Sequence, residues 1–219
     1  VKSDGNIYAF AGNGTLGYSG DGAKAVDALL NYPQALSYDS SSRKLYFCDT
    51  RNHVVRVIDS EGCIFTIAGI GNAGYSGDGG ISTSATLSSP QGIYVDSSSG
   101  DIYIGDTNNR RVRVIMNSTQ IIYTIGGSGV AGYNRDGIPA IRSQLNHPKG
   151  VFYDASKSAV YVADSENDLI RTLYVPPEPT SMPSSSAPSA VPSVQYLNTT
   201  YYHNSCVSTA NDSYFTSRI

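Results

Sequence analysis

The chain has no tryptophan, only two methionines, three cysteines and three histidines, and charged residues make up just 15% of it. No apolar run approaches the roughly 20 residues that a membrane helix needs, so no membrane insertion is expected of this segment. Fifteen basic and eighteen acidic residues leave a formal net charge of −3. That balance lacks the cationic footprint of a nucleic-acid binder. The chain opens on Val1 without an apolar leader, which reads as a mature or partial product. His53, His147 and His203 fall in three unrelated contexts without metal-ligand spacing. Neither a Gly-x-Ser-x-Gly elbow nor a Cys–His pair of nucleophile type occurs. The expectation is a non-enzymatic chain with no resident metal or cofactor.

What is present is unevenly distributed. Hydrophobic residues reach 40%, enough for a packed core. All 22 glycines lie between Gly5 and Gly150. Residues 176–195, PPEPTSMPSSSAPSAVPSVQ, hold six of the ten prolines and six serines. Without a periodic apolar pattern this stretch reads as an extended linker or stalk. Residues 196–219 form a polar, aromatic tail with no evident fold of its own.

The first 175 residues repeat. Tyr18, Tyr75 and Tyr133 recur at spacings of 57 and 58, as do Pro33, Pro90 and Pro148, and Asp49, Asp106 and Asp164. The units fall at about 7–63, 64–120 and 121–175. In the second, IFTIAG leads into a long Gly-rich segment, then GIYVD, SSSGD, IYIGD, TNNRR, VRVIM and the next unit's IIYTIGG. These are short β-branched and aromatic runs bounded by turn residues. Four antiparallel strands per unit is the arithmetic of a propeller blade. In IYIG, Ile102 and Ile104 point to one face and Tyr103 and Gly105 to the other, and neither face is charged. That pattern fits a sheet packed between two others.

The second unit carries TIAGIGNAGYSGDGG, SPQGIYVD and IYIGDTNNRRVRVI. In these residues the units resemble NHL repeats, and the resemblance runs from about Ile7 to Val175. The name-giving positions fall on Asn52-His53-Val54, Asn109-Arg110-Arg111 and Asn167-Asp168-Leu169, so only the asparagine is kept throughout. The resemblance implies an all-β fold, a propeller of three four-stranded blades. It leaves function open, because members bind proteins, bind RNA, sense ligands or catalyse. Members that act as amidating lyases gather a metal on channel histidines, which this sequence does not supply.

Strand order places the GYSGDG segments and the Asp-Thr-x-Asn turns on one propeller face, with the DSSSR, DSSSG and DASKS turns on the other. Long loops on a rigid scaffold are where binding concentrates. The candidate binding residues are Tyr18, Asp21, Asn52, Tyr75, Asp78, Asn109, Arg110, Tyr133, Asp136 and Asn167. Asp21, Asp78 and Asp136 read in two ways, as an acidic rim for calcium or as Asp-capped turns before a short Ala-rich helix. The second is preferred from the turn chemistry of Asp and Gly. Asp49, Asp106 and Asp164 precede tight turns, and Arg56, Arg113 and Arg171 follow seven residues later, within reach of an ion pair.

Cys48 stands where other units have Gly105 and Ala163, a small buried filler. Cys63 lies two strands away from it, roughly 9–10 Å, too far for a direct bridge. A Cys63–Cys206 bond tying the tail to the sheet edge is the favoured pairing, with an intermolecular bond as the alternative. Asn13, Asn117, Asn198 and Asn211 head glycosylation triplets. With the Ser/Pro stalk they favour an extracellular or cell-surface glycoprotein.

The expected function is recognition of a protein or glycan through the GYSGDG face. A metal-dependent propeller lyase or hydrolase is the alternative, and RNA binding conflicts with the charge. Three blades are fewer than the four to eight of a closed ring. The chain is then a fragment of a longer, six-bladed ring, the favoured reading, or half of a homodimer. In either case NIYAFAG, residues 6–12, reads as an outer strand separated from its own blade, and the third unit lacks one after IRTLYV.

Overall fold

The computed structural model describes residues 4–174. The linker at 176–195 and the tail at 196–219, with Asn198, Asn211, His203 and Cys206, lie outside the described residues. No helix among the described residues is long and apolar enough to cross a membrane. The fold is all-β and consists of three antiparallel sheets in chain order.

The first blade is a meander of β1 (Pro33–Asp39), β2 (Lys44–Asp49), β3 (Val54–Ile58) and β4 (Ile64–Ala68). In the second, a two-residue strand β5 (Gly80–Ile81) precedes β6 (Gly92–Val95), β7 (Ile102–Asp106), β8 (Arg111–Met116) and β9 (Ile121–Gly126). Its order is β5-β9-β8-β7-β6, because Gly80 and Ile81 pair with Ile122 and Ile121 outside the expected four strands. The third blade holds β10 (Pro148–Asp154), β11 (Ala159–Asp164) and β12 (Leu169–Tyr174). Residues 6–12 differ from expectation: they join no sheet, and Ile7 is 98% exposed. A strand needs a ladder partner, and no described strand lies beside this segment.

The alternation in IYIG has its predicted consequence. Ile102 and Ile104 join Cys48, Val55, Val57, Ile93 and Val95 in the core between the first two blades. Tyr103 joins Val112, Val114, Val160, Val162 and Leu173 between the second and third. Tyr103 stacks on Tyr153 at 4.7 Å between ring centroids. Side chains from both faces of the second sheet are buried, so its strands are apolar on both sides. The blades approach so closely that a Cβ on Gly92 would collide with the Lys149 carbonyl oxygen of the next blade.

Each blade's second and third strands are joined by a short 3-10 turn: Thr50–Asn52, Thr107–Asn109 and Ser165–Asn167. Each turn ends on a left-handed residue, His53, Arg110 or Asp168. The hydroxyls of Thr50 and Thr107 donate across the blade junction to the Pro90 and Pro148 carbonyls, both at 2.8 Å. On the opposite face, Ser41 and Ser42 donate to Asp39, and Ser98 and Ser99 to Asp96, closing the β1–β2 and β6–β7 hairpins.

Candidate functional site

The GYSGDG face carries one polar cluster per blade, built on an arginine of the blade's third strand. Arg56 and Arg113 are fully buried, and Arg171 is nearly so. The Asp that starts the turn accepts from three directions. In the first blade Asp49 Oδ1 accepts from the Asn31 amide at 2.7 Å, and Oδ2 accepts from Asn52 Nδ2 at 2.8 Å and Arg56 Nη1 at 3.4 Å. Asp106 does the same with Ser88, Asn109 and Arg113 at 2.8, 2.8 and 3.3 Å. Asp164 takes Asn146 at 2.6 Å and Asn167 at 2.8 Å, with Arg171 looser at 3.6 Å. Burial pushes the Asp106 carboxyl up to about 6, against the donors from Asn109, Ser88 and Arg113. Burial raises Asp49 as well.

The other guanidinium nitrogen reaches the loop. Arg56 Nη2 meets Asp21 at 2.8 Å, Arg113 Nη2 meets Asp78 at 2.7 Å, and Arg171 Nη2 meets Asp136 at 3.0 Å. These loop aspartates therefore do not cap a helix. In the second blade the 3-10 turn Ser82–Ser84 starts after Ile81, with no side-chain cap. The reason is partly electrostatic: a buried guanidinium demands a second carboxylate partner, while the Ser82 amide at the start of the turn already donates to the Gln120 carbonyl at 2.9 Å. Tyr18, Tyr75 and Tyr133 lie over the same guanidinium groups at 5.1, 5.0 and 5.1 Å. Tyr75 and Tyr133 donate their hydroxyls to Asp78 and Asp136 at 2.6 and 2.8 Å. Tyr18 instead bonds Thr66 Oγ1 at 2.8 Å, and Tyr75 also bonds Thr124 Oγ1 at 3.1 Å.

The ten sequence-selected residues thus separate into two groups. Tyr18, Tyr75 and Tyr133 stay 42–48% exposed, each beside a loop aspartate at the surface. Asn52, Asn109 and Asn167 hold the fold instead: each amide also donates to a loop carbonyl, Gly17, Gly74 or Gly132, at 2.6–2.8 Å. Arg110 is the left-handed turn residue, and its Nη1 bonds the Asn108 carbonyl at 3.4 Å. Among the described residues no group of three or more His, Cys, Asp or Glu could hold a metal ion.

One feature of the site escaped sequence reading, and a second, Arg111, was legible only as part of a basic cluster with Arg110 and Arg113, sharing a strand face with Arg113. Thr66 and Thr124 hydroxyls anchor the tyrosines; the recurring T in IFTIAG and IIYTIGG was their signal. Arg111 lies 3.6 Å over the Tyr75 ring and donates to the Ser128 carbonyl at 3.0 Å. It helps form an open cavity of about 240 Å³ with Tyr75, Asp78, Thr124 and Ile141. The other units have Val54 and Leu169 at that position, so the cation is peculiar to the second blade. His53 is a structural acceptor: its Nδ1 takes the Ser89 amide at 3.0 Å, and burial lowers its pKa. The sequons Asn13 and Asn117 are both exposed. Cys63 is buried just before β4.

Stacked meanders with matching turns and one shared loop face define a partial β-propeller. Residues 87–115, in its second blade, match the family model of the NHL repeat. Protein SUPPRESSOR OF QUENCHING 1, chloroplastic, of Arabidopsis thaliana is 30% identical over 149 residues, 67% of this chain and 14% of that protein. NHL repeat-containing protein 2 of Gallus gallus is 32% identical over 104 residues, 47% of this chain and 14% of that one. The chain therefore spans about one seventh of the length of these relatives. Two solved structures from Bacteroides thetaiotaomicron share the fold. A structural genomics protein of unknown function has a TM-score of 0.55 at 23% identity, covering 63% of this chain and 34% of that one. An auxiliary nutrient binding protein has a TM-score of 0.52 at 21% identity, covering 63% and 36%.

Proposed function

We propose that the chain is a non-enzymatic recognition module that binds a protein or glycan through the GYSGDG face. One observation carries this reading: three tyrosines stand at the surface in equivalent positions, each fixed over a buried arginine and beside an aspartate. Such rings offer contact area at low entropic cost, and the carboxylates beside them accept hydrogen bonds from hydroxyls or amides. The cavity at Tyr75, Asp78 and Arg111 adds one concave point to that surface. The exposed sequons Asn13 and Asn117 support an extracellular setting.

The test is a printed glycan array together with a displayed library of extracellular proteins. A Tyr75→Ala chain should lose at least tenfold in affinity for whatever the wild type selects. Ser98→Ala, on the opposite face, should not change it. Undiminished binding by Tyr18→Ala, Tyr75→Ala and Tyr133→Ala chains that fold normally would refute the placement.

A further inference from the structure

The two ends of the blade stack are made like the junctions inside it. Leu36 and Tyr38 are equivalent to Ile93 and Val95 by the 57-residue spacing. Ile93 and Val95 are 6% and 3% exposed, while Leu36 and Tyr38 are 70% and 58% exposed. At the other end Ile170 takes the place of Val112, and it is 73% exposed where Val112 is fully buried. Both end faces are therefore apolar sheet faces of the kind that a neighbouring blade covers.

Smaller features repeat in the same way. Ser165 keeps the hydroxyl with which Thr50 and Thr107 bond the next blade's proline carbonyl, but it donates to Ala163 of its own blade at 3.3 Å. Gly150 keeps the glycine that Lys149 of the next blade forces at Gly92. A Cβ there would meet only Ala163, at 3.6 Å. The outer edge of β12 has no strand beside it among the described residues, whereas β3 and β8 pair with β4 and β9.

The missing strand has a counterpart at the opposite end. IYAFAG at 7–12 corresponds to IFTIAG at 64–69 and IYTIGG at 122–127. It leads into the first blade along the same path. The Gly12 amide donates to the Ala25 carbonyl at 2.8 Å, as Gly69 does to Ser82 and Gly127 to Ala140 at 3.1 and 2.9 Å. Ile7 is exposed where Ile64 and Ile122 are fully buried.

We propose that a second copy of this chain covers both ends. Residues 7–12 of each copy add as the fourth strand to β12 of the other, and the end faces pack as successive blades do. The register follows from Arg56 opposite Thr66 and Arg113 opposite Thr124, which sets Arg171 opposite Ala9. Val57 opposite Phe65 and Val114 opposite Tyr123 likewise set Thr172 opposite Tyr8. Ser165 then faces the Pro33 carbonyl of the second copy, and Gly150 faces its Gln34 carbonyl. Two copies make six blades, inside the four to eight of closed propellers, whereas three would make nine. Closure by a two-fold axis also leaves no end open to further growth.

Light scattering of the full 219-residue chain at tens of micromolar tests this. The expected mass is twice 23.3 kDa. Ile170→Lys, at a position exposed in the single arc, should keep the wild-type circular dichroism and scatter as one copy. Tyr8→Cys in one tagged chain and Thr172→Cys in another should form an interchain disulfide, and Phe10→Cys with Thr172→Cys should not. A wild-type mass of one copy would overturn the proposal, leaving the ends to further blades of a longer polypeptide. A mass beyond two copies, a dimer unaffected by Ile170→Lys, or cross-linking out of this register would overturn it as well.

Discussion

Arg113 and Asp106, on adjacent strands of the second blade, are both fully buried and meet at 3.3 Å between Nη1 and Oδ2. Without Arg113 the buried Asp106 would keep only the neutral Ser88 and Asn109 donors and no counter-charge. Arg113→Leu should therefore cost about 3–5 kcal/mol in urea unfolding. Arg171→Leu should cost less, about 1–2 kcal/mol, because its partner Asp136 is mostly exposed and Asp164 stands farther off. Equal losses at the two sites would contradict this ranking.

Asp39 and Asp106, on opposite faces of the propeller, give opposite pH dependence. For Asp39, burial opposes ionisation, but the Ser42 and Ser41 donors outweigh it and hold the carboxyl at about 2. A folded pKa below the unfolded one means stability that is present above about pH 4 and lost as pH falls toward 2. Asp106 runs the other way. Its folded pKa of about 6 means a contribution present below about pH 4 and lost as pH rises through 6. Urea midpoints from pH 2 to 7 should show the acid limb weakened in Asp39→Asn. A Ser41→Ala, Ser42→Ala double variant should weaken it too. An unchanged acid limb in both would exclude these bonds as its source.

Glycine is needed at position 92 by the neighbouring blade and not by its own backbone. Gly92→Ala should cost about 3 kcal/mol, because the Lys149 carbonyl, being backbone, cannot rotate away. Gly150→Ala should stay within about 1 kcal/mol in the single arc, since a Cβ there makes an ordinary contact. Thermal melts of the two variants, with Gly150→Ala measured at a dilution where wild-type chains scatter as single copies, give the comparison.

The cysteines should differ in chemistry. Cys48 is fully buried with Sγ 3.5 Å from the Gly92 carbonyl, and burial raises its thiol pKa far above neutrality. It should resist alkylation until the chain unfolds. A digest kept oxidised should yield Cys63 linked to Cys206 within one chain. Recovery of Cys206 linked to another chain instead would support the intermolecular alternative.

Position 9 offers a gain. Thr66 and Thr124 hydroxyls bond Tyr18 and Tyr75, and alanine stands at the equivalent position in residues 7–12. In the two-fold ring, Ala9→Thr would give Tyr133 the same partner twice per dimer. Two bonds of about 1 kcal/mol each should tighten association roughly thirtyfold. Sedimentation equilibrium of the variant and wild type would measure it, and unchanged affinity would argue against the register.

Local residue order determined much of this protein. The 57-residue spacing set the blades, alternation in IYIG set which side chains face each neighbour, and Asp106 seven residues before Arg113 put an ion pair across one turn. These are short-range consequences of strand periodicity and turn length. The tertiary structure decided what depends on distant partners. Asp78 reads as a turn cap until Arg113, 35 residues away, arrives beneath it. Asn109 reads as a binding residue until its amide is seen holding the Gly74 carbonyl. Residues 7–12 have the composition of a strand, but a strand exists only against a neighbour, and β9 finds β8 where residues 7–12 find none among the described residues. Pattern fixes a side chain's face; only the assembled blades fix what stands opposite it.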